Sequence, residues 1–379
     1  MTLEALLITA AVAALAYANG ANDVSKGIAT LVGSGVASYR HAMLWGAVWT
    51  GVGGWLGAIF AKGMLTTFGA GLRGPGVAPT LAGSLAALVG ATGWVLVATR
   101  TGLPVSTTHA IVGSLGGVAV LAYGAGGMQW STFGGKILLP LLMSPLLALA
   151  FTGLALRAGG PRTSGSNAAA DCLCAEVAGV AVAEAGAPGV AAAVLLPGAP
   201  ELRVARGSVG SCATEHPQAL RLTLGHAHWA TSGATSLARG MNDAPKIVAL
   251  ALAASALGAG VTASTALLFA LVTAGMVAGS VLAGRRVTRV LAERVTPMDN
   301  REGFAANLVT AALVITGAVH GLPMSTTHVA AGGIFGAGAA RGTLDTRTLR
   351  DIVLAWVVTL PAAGLLGAAS YAIASIFSS

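Results

Sequence analysis

The stretch "NGANDVSKGIATLVGSG", residues 19 to 35, decides how this chain is read. It follows "ALLITAAVAALAYA", residues 5 to 18, which is almost wholly apolar, and yet it carries Asp23 and Lys26 three residues apart among glycines. A second copy, "GMNDAPKIVALAL", begins at Gly240 and repeats the acid and the base as Asp243 and Lys246. A second motif is also duplicated, "GLPVSTTHAIVG" from Gly102 and "GLPMSTTHVAAG" from Gly321. The offsets are 220 residues for Asn22 to Asn242 and 219 for Ser106 to Ser325. Two motifs that recur in one order at one spacing mark two homologous halves.

The surroundings of these motifs are those of a membrane protein. Only 9% of the 379 residues are charged and 55% are hydrophobic, against about 25% charged in a soluble domain. Charge-free runs such as residues 41–61 and 260–284 match the roughly 20 residues that carry a helix across a bilayer. The 54 glycines suit close helix packing in lipid. The first twenty residues lack the basic start of a cleaved leader, carrying only Glu4, and run straight into the polar motif.

The sequence therefore predicts an all-α polytopic membrane protein with two repeats of about five segments each. The segments expected are roughly 3–35, 42–61, 81–99, 104–123 and 131–156, then 223–253, 262–283, 303–319, 323–340 and 351–376. Five is odd, so the second half enters from the opposite side, an inverted-topology repeat. The domains expected are 1–156, a central segment 157–221, and 222–379. With the N-terminus outside, fifteen of the 21 Lys and Arg residues fall in inside loops, and only Lys62 and Arg73 fall outside. That bias places both termini outside and the central segment in the cytoplasm of a cell (plasma) membrane. It also accounts for the net charge of +8 without a nucleic-acid partner.

A helix over 3–35 would be about 50 Å long, too long for a core of about 30 Å. Discontinuous helices are expected at the Asn-Asp motifs, with Asn22/Asp23 and Asn242/Asp243 starting the second part of each and Pro245 in a restarting turn. New helices are also expected to start at the Ser-Thr-Thr-His motifs. Two inverted copies would then aim four helix starts at one central point, and free N–H groups at such starts suit phosphate-like anions. The plain alternative is that Ser106, Thr107, Thr108, Ser325, Thr326 and Thr327 only cap helices. Asp23 and Asp243 are the only two acids expected deep in the membrane. A charge at that depth costs about 2.5–3.5 kcal/mol, and pairing with Lys26 and Lys246 at i,i+3 offsets it.

At these residues the chain resembles the PiT family of inorganic phosphate transporters, which also includes sulfate permeases. "GANDV" and "GMNDA" are similar to its duplicated G-x-N-D signature, as are the paired "LPxSTTH" motifs. The resemblance implies a secondary active transporter, not an enzyme, that moves phosphate by alternating access. A sulfate permease or a Na⁺-coupled phosphate symporter is the alternative. It implies a tetrahedral oxyanion held by Asn22, Asn242 and the two Ser-Thr-Thr runs. Where the family carries asparagine three residues after the aspartate, this chain has Lys26 and Lys246. Lysines there supply fixed positive charge where a sodium ion would sit. No cofactor is expected beyond H⁺ or Na⁺ as coupling ion, and H⁺ is favoured. The expected partners are inorganic phosphate or sulfate and the lipid bilayer, with a homodimer open. A channel or embedded receptor is the rival from another class; passive flux, or none, would favour it.

Other residues carry weaker signals. Ser106 with His109 lacks the orienting acid of a hydrolase. His109 and His328 read as packing histidines that hydrogen-bond, with proton relay as the second option. Arg239, whose repeat mate is Asn19, either attracts anions or snorkels to the surface. His226 and His228 in "GHAH" form only a weak metal pair. The central segment holds Cys172, Cys174, Cys212 and His216, weak candidates for a metal site. The alternative there is a small β-rich appendage with reduced thiols.

Overall fold

The structure, a computed structural model, describes residues 2–158, 171–178, 182–183, 194–195, 201–216, 219–255 and 264–376. It is predominantly helical. The first half contains α1 (Leu3–Asp23), α2 (Ser25–Gly33), α3 (Tyr39–Phe60), α4 (Lys62–Thr66), α5 (Leu81–Thr101), α6 (Thr107–Tyr123), α7 (Trp130–Thr132) and α8 (Leu139–Ala158). The central segment has β1 (Cys172–Ala178), β2 (Val182–Ala183), β3 (Val194–Leu195), β4 (Glu201–Gly207), α9 (Val209–Glu215) and β5 (Leu220–Thr223). The second half contains α10 (Leu224–Ser255), α11 (Thr265–Ala283), α12 (Arg285–Glu293), α13 (Asn300–Val319), α14 (Thr326–Arg341) and α15 (Thr346–Ile376).

Eight helical spans among the described residues are long and apolar enough to cross a membrane, making this a multi-pass membrane protein. Two of the ten expected crossings are not among them. Helix α10 carries Arg239, Asp243 and Lys246, and α14 is only 16 residues long. Both are enclosed by other helices, so neither needs an apolar outer face. The outer helices are organised the other way round. Helix α3 exposes Leu44, Val48, Val52, Trp55 and Ile59 and buries Gly46, Ala47, Thr50, Gly53 and Gly57. In lipid, large apolar side chains gain nothing by turning inward, while small ones let backbones approach.

The halves exchange packing partners reciprocally. Helix α1 packs on α11, and α10 packs on α3. Likewise α6 packs on α15, and α14 on α8. A Cβ at Gly20 would strike the Met276 carbonyl, and one at its repeat mate Gly240 would strike the Thr50 carbonyl. These crossings are backbone on backbone, and they bring the polar ends of α1 and α10 together.

The Gly-Leu-Pro motifs close α5 and α13 in one way. Gly102 (φ 81°) and Gly321 (φ 67°) take the left-handed conformation. Leu103 N–H donates to Ala98 O and Leu322 N–H to Gly317 O, both at 2.9 Å. This is the Schellman closure, for which glycine supplies the positive φ. The chain then turns through proline into α6 and α14.

Of the two helix breaks expected at the Asn-Asp motifs, the first is present, as α1 ends at Asp23 and α2 starts at Ser25, and the second is absent. Asn22 and Asp23 end α1 rather than start its continuation, and the irregularity is the single residue Val24, still in the right-handed helical region. The Asn22 carbonyl accepts from Ser25 Oγ and Lys26 Nζ, each at 2.8 Å. Side chains thus satisfy the carbonyl at this point, and the backbone stays wound. Helix α10 runs through Pro245 unbroken, with Gly57 of α3 against the proline ring. Glycine there leaves the ring room. Only two helix starts, not four, therefore face the centre.

The central segment forms a compact unit of its own, residues Gly160–Ala227. Its sheet has the order β4-β1-β5, all antiparallel, and β2 pairs with β3 separately. Strand β5 reaches Thr223, two residues beyond the expected end of the segment.

The reciprocal crossings lead to a test. Gly20→Ala and Gly240→Ala should each lower the unfolding temperature of the detergent-purified protein by on the order of 5 °C, as over-packing at such contacts costs about 1–3 kcal/mol. Wild-type melting in both would refute the packing account.

Candidate functional site

Three helix ends and one mid-helix stretch supply the polar centre of the helical unit: the last turn of α1, the starts of α6 and α14, and the middle of α10. Asn19, Asn22, Asp23, Lys26, Arg239, Asn242, Asp243 and Lys246 are all buried, as are Ser106, Thr107, Thr108, Ser325, Thr326 and Thr327. The pairs within each half are direct. Lys26 Nζ lies 2.7 Å from Asp23 Oδ1, and Lys246 Nζ lies 3.1 Å from Asp243 Oδ1.

The two halves meet through Asn19. Its amide nitrogen donates to Asp23 Oδ2 at 2.9 Å and to Asp243 Oδ2 at 3.1 Å. One amide therefore holds two carboxylates from opposite halves. Lys246 Nζ also crosses, donating to Thr108 Oγ1 at 2.8 Å and to the Met324 carbonyl at 3.3 Å. Thr107 donates to Asp23 Oδ2 at 2.9 Å, and Thr327 donates to the Val105 carbonyl at 2.7 Å. Thr326, the mate of Thr107, is buried beside them but makes no comparable bond to Asp243, so the two halves are not equivalent.

The serines do what the plain reading expected. Ser106 and Ser325 are the N-caps of α6 and α14, accepting from the N–H of His109 and His328 at 3.2 Å each. Asn22 is saturated by protein. Its Nδ2 donates to Thr99 Oγ1 (3.0 Å) and the Leu103 carbonyl (3.1 Å), and its Oδ1 accepts from Val105 N–H (3.2 Å) and Lys26 Nζ (2.7 Å). It clamps the Gly-Leu-Pro turn to α1. Asn242 donates to Asp243 and to the Met324 carbonyl, while its Oδ1 and the Oδ1 of Asn19 have no protein partner.

Arg239 does not snorkel. It is fully buried, with Nη2 at 2.5 Å from Thr50 Oγ1 and 3.2 Å from Ser280 Oγ, while Nε and Nη1 lack partners. Composition alone did not point to this residue as part of the centre. The signal was present in the break of repeat symmetry, an arginine where the other half has Asn19. The buried centre then holds three cationic side chains (Lys26, Lys246, Arg239) and two acidic ones (Asp23, Asp243), a formal excess of one positive charge.

His109 and His328 face one another, with ring centroids 4.6 Å apart, and His328 also lies against Trp356 at 4.0 Å. His109 Nδ1 makes no hydrogen bond, unlike the packing expected of it. His228 bridges Asn300 Oδ1 (2.8 Å) and Thr30 Oγ1 (3.0 Å), and His226 pairs with Thr223. They do not form a metal pair. In the central unit Cys172, Cys174 and Cys212 are buried with their sulfurs within 4.8 Å of one another. Cys174 and Cys212 form a disulfide and Cys172 is a free thiol, against the expectation of three reduced thiols. His216 does not join them; its Nδ1 lies 3.0 Å from Glu176 Oε1. A mostly apolar recess lined by Phe68, Leu72, Leu115, Val118 and Tyr371 among others contains none of the polar motif residues.

The ion pairs yield a stability test. Removing one member of a buried pair leaves the other charge uncompensated, at a cost of about 3–5 kcal/mol. Lys26→Met should therefore melt well below the wild type in detergent, and Lys26→Met with Asp23→Asn should recover most of the loss. A double variant no more stable than Lys26→Met alone would mean the two groups do not pair.

Known proteins resemble the chain along nearly its whole length. A "Probable low-affinity inorganic phosphate transporter" of Mycobacterium tuberculosis is 30% identical over 374 residues, covering 97% of this chain and 77% of the relative. The "Inorganic phosphate transporter 2-1, chloroplastic" of Arabidopsis thaliana is 29% identical over 408 residues, covering 92% and 68%. A solved structure of a sodium-dependent phosphate transporter shares the fold, with a TM-score of 0.76 at 21% identity over 99% of this chain and 100% of that one. The Phosphate transporter family matches residues 19–367, and the chain belongs to that family.

Proposed function

We propose that the protein is a secondary carrier of inorganic phosphate, working by alternating access between two inverted halves, and that sodium is not its coupling ion. One observation carries this reading: two Asp-Lys pairs, one from each half, meet through a single asparagine in a buried centre with an excess of positive charge. An unpaired excess charge in a low-dielectric interior is costly, and an incoming anion neutralises it. Lys26 and Lys246 occupy the carboxylates with tethered ammonium groups. They are the fixed equivalents of a bound cation.

The reading assigns roles within the centre. The hydroxyls of Thr107, Thr108, Thr326 and Thr327 and the starts of α6 and α14 donate to the anion. Ser106 and Ser325 hold those starts in place. Asn22 and Asn242 join the site when the Gly-Leu-Pro turns move, because in the present arrangement Asn22 has no spare donor. Phosphate enters by exchange, taking over bonds that Thr107 gives to Asp23 and that Lys246 gives to Thr108. The facing histidines and the acid-base pairs offer groups that exchange protons near the path, which supports proton coupling. The membrane is the plasma membrane, with both termini outside and the central unit in the cytoplasm, as the arginine distribution supports.

Phosphate is preferred to sulfate on hydrogen-bonding grounds. The centre presents acceptors, the two carboxylates and the free Oδ1 atoms of Asn19 and Asn242. A protonated phosphate donates to such acceptors, whereas sulfate at neutral pH has no proton to give. Sites built around a hydrogen bond discriminate strongly against an analogue that lacks it. The family fold is also that of a sodium-dependent carrier, which favours sodium coupling as the second reading.

Labelled phosphate uptake into proteoliposomes separates the two. The expected result is saturable uptake that survives removal of sodium, follows a pH gradient and resists excess sulfate. Lys26→Asn with Lys246→Asn should acquire a sodium response. Strict dependence of the wild type on a sodium gradient would overturn the reading.

A further inference from the structure

A charged cavity lies apart from the central site. It is a recess open to solvent at the junction of the last turn of α5, the end of α11 and the start of α12. Arg100, Arg285, Arg286 and Arg289 line it together with Thr99, Leu282 and Ala283. No acidic side chain is in the lining, and no carboxylate lies within ion-pair distance of the four arginines among the described residues. Arg286 Nη1 donates to the Arg100 carbonyl at 2.5 Å. Arg285 lies over the Tyr39 ring at 5.2 Å, and Tyr39 in turn donates to Glu293 at 2.5 Å.

The arrangement runs against ordinary helix electrostatics. Helix α12 begins on Arg285 and Arg286 and has no acid in its first turn. Cations at a helix start add to the positive end of its dipole instead of opposing it. Such a recess concentrates positive potential, and the acid tied to it is Glu293, reached from Arg285 and Arg289 through Tyr39. Its floor is the informative part. Thr99 lines the recess and its Oγ1 accepts from Asn22 Nδ2 at 3.0 Å. Thr99 therefore touches both the arginine recess and the residue that clamps the Gly-Leu-Pro turn over Asp23 and Lys26.

We propose that this four-arginine recess, which the arginine distribution places on the cytoplasmic side, is a second binding station for a phosphate oxyanion, lying outward of the central site, which the transported ion occupies before or after it passes Asn22. The assignment rests on the proposed carrier function. The arginines capture the dianion or monoanion from solution by charge and bidentate geometry. Handing it inward requires only that the Asn22–Thr99 bond be exchanged for bonds to the anion. The same chemistry would also suit the phosphate of an anionic lipid headgroup, since Leu282, an apolar residue of the same lining, is 74% exposed.

The test uses the full-length protein in proteoliposomes of neutral phosphatidylcholine and, in parallel, of phosphatidylglycerol. Arg285→Gln with Arg289→Gln should raise the half-saturating phosphate concentration about tenfold at low ionic strength. The difference from the wild type should vanish at about 0.5 M salt, where screening acts within a few ångströms. Arg350→Gln, an exposed charge elsewhere paired with Asp351, should keep the wild-type salt dependence. A second measurement needs no transport. Arg100→Cys should react faster with an anionic than with a cationic thiol reagent, and inorganic phosphate should slow that reaction in neutral lipid. If this protection holds while Asn22→Ala transports normally, the outer station stands and the central assignment fails. Equal reactivity toward both reagents with no phosphate protection would overturn the station. Effects confined to phosphatidylglycerol would overturn it too, and would assign the recess to a lipid headgroup.

Discussion

Two carboxylates of like charge, contributed by opposite halves of the chain, sit on one amide, and the rest of the structure is arranged so that this contact holds. Asn19 Nδ2 reaches Asp23 and Asp243 together. Without Lys26, Lys246 and Arg239 around them, two buried anions this close would drive the halves apart. With the three cations the centre becomes slightly electropositive instead. The bare backbone contacts at Gly20 and Gly240 permit the approach, since larger residues would hold α1 and α10 away from their partners α11 and α3. Glycine at the helix crossings and charge in the centre are therefore two parts of one constraint.

The centre is also unequal in a way that bears on mechanism. In the first half Asn22 is saturated and Thr107 is bound to Asp23, whereas in the second Asn242 retains a free oxygen and Thr326 lacks the corresponding bond. A carrier that alternates between two faces needs its halves to take different states at any moment. On the proposed reading the structure holds one of them, with the first Gly-Leu-Pro turn clamped shut by Asn22. On that reading the positive excess would draw an anion in and leave no vacancy for sodium beside either aspartate.

Much of this was legible in the sequence because the repeat printed it twice. The duplicated Asp-Lys spacing announced the pairs, and Ser-Thr-Thr-His after Gly-Leu-Pro announced the two helix starts. What failed was inference from local breaking signals. The break at Asn22-Asp23 is held to the single residue Val24 by side-chain donors to the Asn22 carbonyl, and Pro245 read as a restart, yet the small surface of Gly57 lets α10 run through it. Those compensations come from the fold and have no local signature. The exchange of partners between halves was hidden for the same reason, since a sequence shows which residues are small but not which neighbour they admit. Asn19 and Arg239 were obscured by being unequal mates, although that inequality is what lets one bridge the acids while the other supplies charge. The disulfide between Cys174 and Cys212 depends on β1 and α9 meeting, which spacing alone does not specify.

The central claim is that the meeting point of the two Asp-Lys pairs is where the anion binds. A density map of the phosphate-loaded protein, prepared without sodium, tests it most directly. The account predicts tetrahedral density within hydrogen-bonding distance of Thr107, Thr108 and the start of α14, with the Lys246–Thr108 contact opened to admit it. Tetrahedral density elsewhere, with that contact and the Asn19 bridge undisturbed, would contradict it.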